Sequence, residues 1–231
     1  MGIVPHLGRC VCVASAVEFC QNDQMSENSP DIEASRKAVY RNFKALARDV
    51  PKRLVRLEED SVSRARHGKG DVYERLEQLY RSVDEVQAFV LRYTPCRRGC
   101  CGCCHYKVNL FGIEATYLER SLGIQREPPL LPLVETHGLP CPFLWNNECT
   151  IYQHRPYACR KHLTLDASAY WCQPDRANTA TLILAKFSKV EEAIAWLAHE
   201  SGERQITDIR NFFPSGLRRK SRLPPNLVLD G

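Results

Sequence analysis

Five of the nine residues from Cys96 to Cys104 are cysteine. Four more follow at Cys141, Cys149, Cys159 and Cys172, three precede at Cys10, Cys12 and Cys20, and none lies between 21 and 95. Cysteines serving only as small apolar core residues would not bunch in this way. The thiols of 96–172 therefore have a chemical role, and three candidates compete.

Disulfides fit poorly. Adjacent Cα atoms are about 3.8 Å apart, whereas a disulfide spans roughly 4.4–6.8 Å, so neither Cys100-Cys101 nor Cys103-Cys104 closes on itself. The N-terminal apolar stretch Val11–Val17 contains a cysteine and follows a single arginine, Arg9, which makes a poor secretory signal. Met25 opens a polar stretch that reads as an ordinary protein start. A reducing cytoplasm is the expected compartment, and disulfides are rare there. Redox chemistry is the second candidate. Cys100-x2-Cys103 has thioredoxin-type spacing, but no strand–helix setting for it is visible. Metal ligation is the third. A Cys-x2-Cys knuckle brings two thiolates to one ion, and Gly102 permits a tight turn. Zinc takes four such ligands, and so does an iron–sulfur cluster. Cys96, Cys100, Cys103 and Cys104 with Cys141, Cys149, Cys159 and Cys172 supply eight, enough for two mononuclear sites or a small cluster. Arg97, Arg98, Lys107, Arg155, Arg160 and Lys161 flank these positions and can offset thiolate charge.

Two stretches of the sequence carry a family resemblance. Thr94-Pro95-Cys96-Arg97-Arg98-Gly99-Cys100-Cys101-Gly102-Cys103-Cys104-His105 resembles the cysteine signature of the YkgJ-type cysteine-cluster family, a zinc- or iron-chelating domain. Cys141-Pro142-Phe143-Leu144, Cys149-Thr150-Ile151-Tyr152-Gln153-His154-Arg155-Pro156 and Cys159-Arg160 are similar to that family's second motif. The resemblance covers about 96–172 and implies metal chelation. Its usual first motif is C-x2-C-x2-CC. Here the first gap is three residues, and Cys101 falls where the pattern has no cysteine, so Cys101 reads as a bystander. Flagellin lysine N-methylases are similar over the same region, which implies a protein-modifying, metal-dependent enzyme as the alternative. No nucleotide- or S-adenosylmethionine-binding loop is recognisable in this chain.

His105, His154 and His162 lie near the cysteines and are secondary candidates. Glu114 reads as a solvated helix residue rather than a carboxylate ligand. Tyr152, Arg155 and Pro156 are expected to shape the loop between Cys149 and Cys159, and Trp145 and Trp171 to pack over the metal lobe.

The rest of the chain predicts a mainly α fold: an N-terminal helical hairpin beside an irregular cysteine-rich lobe, closed by C-terminal helices. Val39, Phe43, Leu46, Val50, Leu54 and Leu57 form one apolar stripe, which Pro51 should kink or split. After the turn at His67–Gly70, Val72, Leu76, Leu79, Val83, Val86 and Val90 make a narrow seam, capped by Asp71 with Glu74. Further helices are expected at 112–122, from a Ser188–Glu191 capping box onward, and over 205–213. The divisions expected are 1–30, disordered; 31–93, the hairpin; 94–175, the metal-binding region; 176–213, the C-terminal helices; and 214–231, a disordered basic tail with Arg218, Arg219, Lys220 and Arg222. No apolar run approaches the roughly 20 residues of a membrane helix. A net charge of +5 is too small to imply a nucleic-acid partner. No protein partner is indicated; the expected partner is a metal ion.

Overall fold

A computed structural model describes residues 10–13, 17–20, 30–127, 136–176 and 184–216. The basic tail from 217 on and the Pro- and Leu-rich stretch 128–135 lie outside the described residues.

The elements run β1 (Cys10–Val13), β2 (Val17–Cys20), α1 (Pro30–Asp49), α2 (Lys52–Glu59), α3 (Ser61–His67), α4 (Val72–Val90), β3 (Asn109–Phe111), α5 (Gly112–Leu122), β4 (Leu144–Trp145), β5 (Glu148–Cys149), α6 (Tyr157–Lys161), β6 (Leu184–Lys186), α7 (Ser188–Glu200), β7 (Ile206–Asp208) and α8 (Ile209–Phe212). The fold is mainly helical, with three small antiparallel sheets: β1-β2-β6, β3-β7 and β4-β5. The segment 1–30, expected to be disordered, thus contains two paired strands.

Pro51 splits the first stripe as its chemistry demands. It has no N–H to donate and disfavours helical geometry at Val50. Helix α1 ends at Asp49, and Pro51 sits at φ −68°, ψ 138° as the N-cap of α2. The α2–α3 break is slighter. Asp60 keeps helical angles, and its N–H donates to the Arg56 carbonyl while its own carbonyl accepts from the Arg64 N–H. Asp71 caps α4 through a capping box: its carboxylate accepts from the Tyr73 and Glu74 N–H groups, each at 2.9 Å, and Glu74 accepts from the Asp71 N–H at 2.9 Å.

The α4 seam is buried from Leu76 to Val90. It does not face a single partner helix. Helix α4 lies against α2, α3, α6 and α7, so the expected hairpin is the α2–α3 arm of a larger bundle in which α7 lies along α3. Helix α1 reaches the cysteine lobe. Its Asn42 donates to the Leu165 carbonyl at 2.8 Å, and its Ser35 hydroxyl donates to Asp166. One apolar core runs through bundle and lobe, from Val39 to Phe213.

Two helix expectations need correction. The Ser188–Glu191 capping box does not form. Ser188 is the first residue inside α7, Glu191 accepts from Lys161 at 2.6 Å, and the buried Glu58 of α2 accepts from the Lys189 N–H at 2.7 Å. A carboxylate from another helix does the capping, where the N-terminal N–H groups favour negative charge. The expected helix 205–213 is strand β7 followed by the single turn of α8, because β7 pairs with β3 in the register Leu110 to Thr207.

Candidate metal centre

Three separate stretches of chain carry the cysteines to one place. Gly99, at φ +86°, opens the turn that closes with the Cys100 N–H donating to the Arg97 carbonyl at 3.0 Å. A 3-10 turn, Gly102–His105, then sets Cys103 and Cys104. Gly102 is needed here for a reason other than a special turn angle. A Cβ on it would stand 2.3 Å from the Cys172 carbonyl oxygen, so the two backbones meet where only glycine fits. The Cys141 N–H donates to the Cys104 carbonyl at 2.7 Å and joins the second stretch to the first.

The β4-β5 hairpin delivers Cys149. Its turn residues, Asn146 and Asn147, both have positive φ, 48° and 63°. Asparagine tolerates that conformation, and the mirror-image turn it allows suits a two-residue hairpin. Helix α6 delivers Cys159. The loop between the two cysteines is built around Arg160, which is 1% exposed. Its guanidinium donates to the Arg155 carbonyl at 2.7 Å and the Gln153 carbonyl at 2.8 Å, pairs with Asp84 of α4, and lies over the Tyr80 ring. Arg160 is thus a structural hub rather than a cation facing the thiols.

The result is a cavity of about 90 Å³ whose wall includes Cys96, Cys100, Cys103, Cys104, Cys141, Cys149 and Cys159. A site needs only about 10–15 Å³ of such volume to hold one water, so more than one ion fits. Cys101 is outside the wall. Cys172 is buried behind it, within electrostatic reach of Cys96, Cys103 and Cys100. The nine cysteines from Cys96 to Cys172 are free thiols. Among the described residues no Asp or Glu lines the cavity, whereas Arg97, Lys107, Arg155 and His162 do. Among the described residues, no three Cys, His, Asp or Glu side chains stand close enough to form a finished coordination shell. Seven thiols line the chamber without closing on a common point.

The electrostatics fit that picture. Burial pushes the Cys141 thiol up to about 12, and does the same for Cys172 with help from Cys96. Cys103 is held well above the usual thiol range by its hydrogen bond with Cys104 and then by burial. Cys159 is raised by burial and then by Cys141, Cys103 and Cys149. Burial also raises Cys96 and Cys149. Arg155 opposes the rise at Cys103, Cys149 and Cys159. These thiols are protonated at neutral pH, so a metal must displace protons to bind. The charge of Cys103 is felt both by Cys172, along with that of Cys96 and Cys100, and by Cys159, along with that of Cys141 and Cys149.

Comparison with known families agrees with this arrangement. The model of a family described as "Putative zinc- or iron-chelating domain" matches residues 95–176. No curated protein matches the chain, and no solved structure does. The chamber offers thiol donors of the kind that chelation of zinc or iron requires.

Several residues around the chamber stand where the sequence does not predict. Glu114 is 3% exposed, not solvated. Its carboxylate accepts from the Tyr80 hydroxyl at 2.6 Å and from the Phe111 and Tyr157 N–H groups at 2.9 Å, which ties α4, α5 and α6 together. Trp171 is buried, but Trp145 is 53% exposed. Tyr152 stacks under Arg155, 3.6 Å from ring centre to guanidinium, and both line the cavity. His154 is turned away and meets the Tyr117 hydroxyl. His105 is outside the wall; His162 is in it. Burial, then Lys161, lowers the His162 pKa to about 4, so the ring is neutral.

One feature of the site leaves no local mark in the sequence. Arg210 donates to the carbonyls of Cys104 at 3.1 Å, Tyr106 at 3.2 Å and Pro140 at 3.3 Å, and to that of Leu139 at 2.5 Å. The buried Asp208 carboxylate holds it at 3.1 Å and also accepts from the Val108 N–H at 2.7 Å. This pair clamps the loops that carry Cys104 and Cys141.

No helix among the described residues is long and apolar enough to cross a membrane.

Proposed function

We propose that this protein binds zinc or iron through Cys96, Cys100, Cys103, Cys104, Cys141, Cys149 and Cys159, with the buried Cys172 thiol behind them. The observation that carries this reading is a single cavity lined by seven thiols from three chain segments and, among the described residues, by no carboxylate. Thiolate-rich, oxygen-poor sites suit zinc and iron–sulfur clusters and do not suit magnesium or calcium. Because the charge of Cys103 reaches both Cys159 and Cys172, a binuclear or cluster arrangement is favoured over two distant sites. Free thiols in this number belong in a reducing compartment such as the cytoplasm. The enzymatic alternative rests on the likeness to flagellin methylases alone.

Purification without oxygen, followed by elemental analysis and a visible spectrum, tests the reading. A brown protein with broad absorption carries iron–sulfur, and a colourless one carries zinc. Cys103→Ser and Cys159→Ser should each lose metal, while Cys101→Ser should keep it. Wild-type protein without stoichiometric zinc or iron sinks the proposal.

A further inference from the structure

We propose that His162 is a nitrogen ligand of the metal centre, binding through Nε2. The inference rests on the metal-binding reading and adds a donor that neither cysteine motif contains.

Four observations converge on this ring. His162 lines the thiol chamber. Its Nε2 is sealed from solvent and has no hydrogen-bond partner. A buried polar atom left unsatisfied costs about 1–3 kcal/mol, so it calls for a specific explanation, and a metal ion at the chamber wall supplies one. The ring is also held in place. Tyr106 meets it edge-on with centroids 5.3 Å apart and is itself stacked on His137 at 5.8 Å. Finally, His162 follows Cys159 by three residues, at the C-terminal end of α6. A Cys-x2-His pair can reach one ion as a Cys-x2-Cys pair does.

The donor count points the same way. Two four-coordinate ions need eight terminal donors. The wall offers seven thiols, and Cys172 is set behind it. His162 is the eighth potential donor on the chamber wall. The other two candidate histidines do not compete: Nδ1 of His154 already meets the Tyr117 hydroxyl at 3.2 Å, and His105 lies outside the wall.

X-ray absorption at the zinc edge, on full-length protein reloaded with zinc under reducing conditions, decides the matter. Wild type should show sulfur in the shell together with the multiple scattering of an imidazole ring. His162→Ala should lose the imidazole signal and bind zinc more weakly, by at least the roughly 10–100-fold that loss of a residue supporting a metal ligand costs. His162→Cys should retain zinc with a shell of sulfur only, which separates ligation from any folding role of the ring. An all-sulfur shell in wild type, or imidazole scattering that survives in His162→Ala, overturns the assignment and leaves the metal-binding reading intact. If wild type takes up no zinc and, as isolated, holds no iron, the metal-binding reading itself fails.

Discussion

The helical bundle and the cysteine lobe share one core but are held by different forces. In the bundle, α4 buries Leu76, Leu79, Val83, Val86 and Val90 against neighbouring helices, and apolar burial does most of the stabilising. In the lobe the elements are short. Two buried arginines, Arg160 and Arg210, tie loop carbonyls together where no regular ladder could. Periodic segments hold themselves in place by packing. An irregular one needs cations at its carbonyls and, if the proposed function holds, metal at its thiols.

The largest effect should come from removing metal. A structural zinc contributes on the order of 10 kcal/mol at neutral pH, so a strong chelator should loosen the lobe while α4 and α7 stay helical. Amide exchange read separately over 96–172 and 72–90 checks this; equal loss of protection in both would erase the distinction. The two forms should also respond oppositely to pH. In the metal-free protein Cys141 and Cys172 are pushed up to about 12, while unfolded thiols titrate near about 8.5. Between those values the folded state holds more protons, so stability falls as pH rises from about 8.5 towards 12 and is flat below that window. The metal-loaded protein gains affinity as pH rises, because protons compete for the same sulfurs. Urea midpoints at about pH 7.5 and 9.5, on either side of the unfolded thiol value, with and without metal, measure both slopes.

Arg210→Leu comes next. It leaves the Asp208 carboxylate buried without its cation, at a cost of about 3–5 kcal/mol, and frees the loops flanking Cys104 and Cys141. Lower stability with faster metal loss to a chelator is expected; unchanged metal retention would show that the clamp serves the core alone. Leu79→Ala in the α4 seam should cost about 2–5 kcal/mol with metal stoichiometry unchanged. If it strips the metal, bundle and lobe melt as one unit. Asp71→Ala removes the α4 cap, worth about 1 kcal/mol, and should move the thermal midpoint without touching the visible spectrum.

The same contrast governs what can be read from the sequence. The α4 seam, its Asp71–Glu74 cap, the break at Pro51 and helix 112–122 all follow from contacts within a few residues, and so are legible. The cysteine set is legible because its spacing is chemical. Their grouping is not: which thiols face one chamber depends on the β4-β5 hairpin, whose two asparagines in left-handed geometry are a faint signal. Glu114 looks like any solvated helix glutamate until Tyr80 and the Tyr157 N–H fold over it. Glu191 answers to Lys161 rather than to its own helix start. The Arg210 clamp joins residues about a hundred positions apart, and nothing local to either end announces it.

That distance has a consequence in time. The thiols all leave the ribosome before the clamp does. About 50 residues separate Cys159 from Arg210, and at roughly 5–20 residues per second their synthesis takes a few seconds. During that interval a nascent chain presents the seven thiols of the chamber without the buried cation that locks their loops. An ion captured then would sit in a site still open, which the short turn of α8, arriving late, would close.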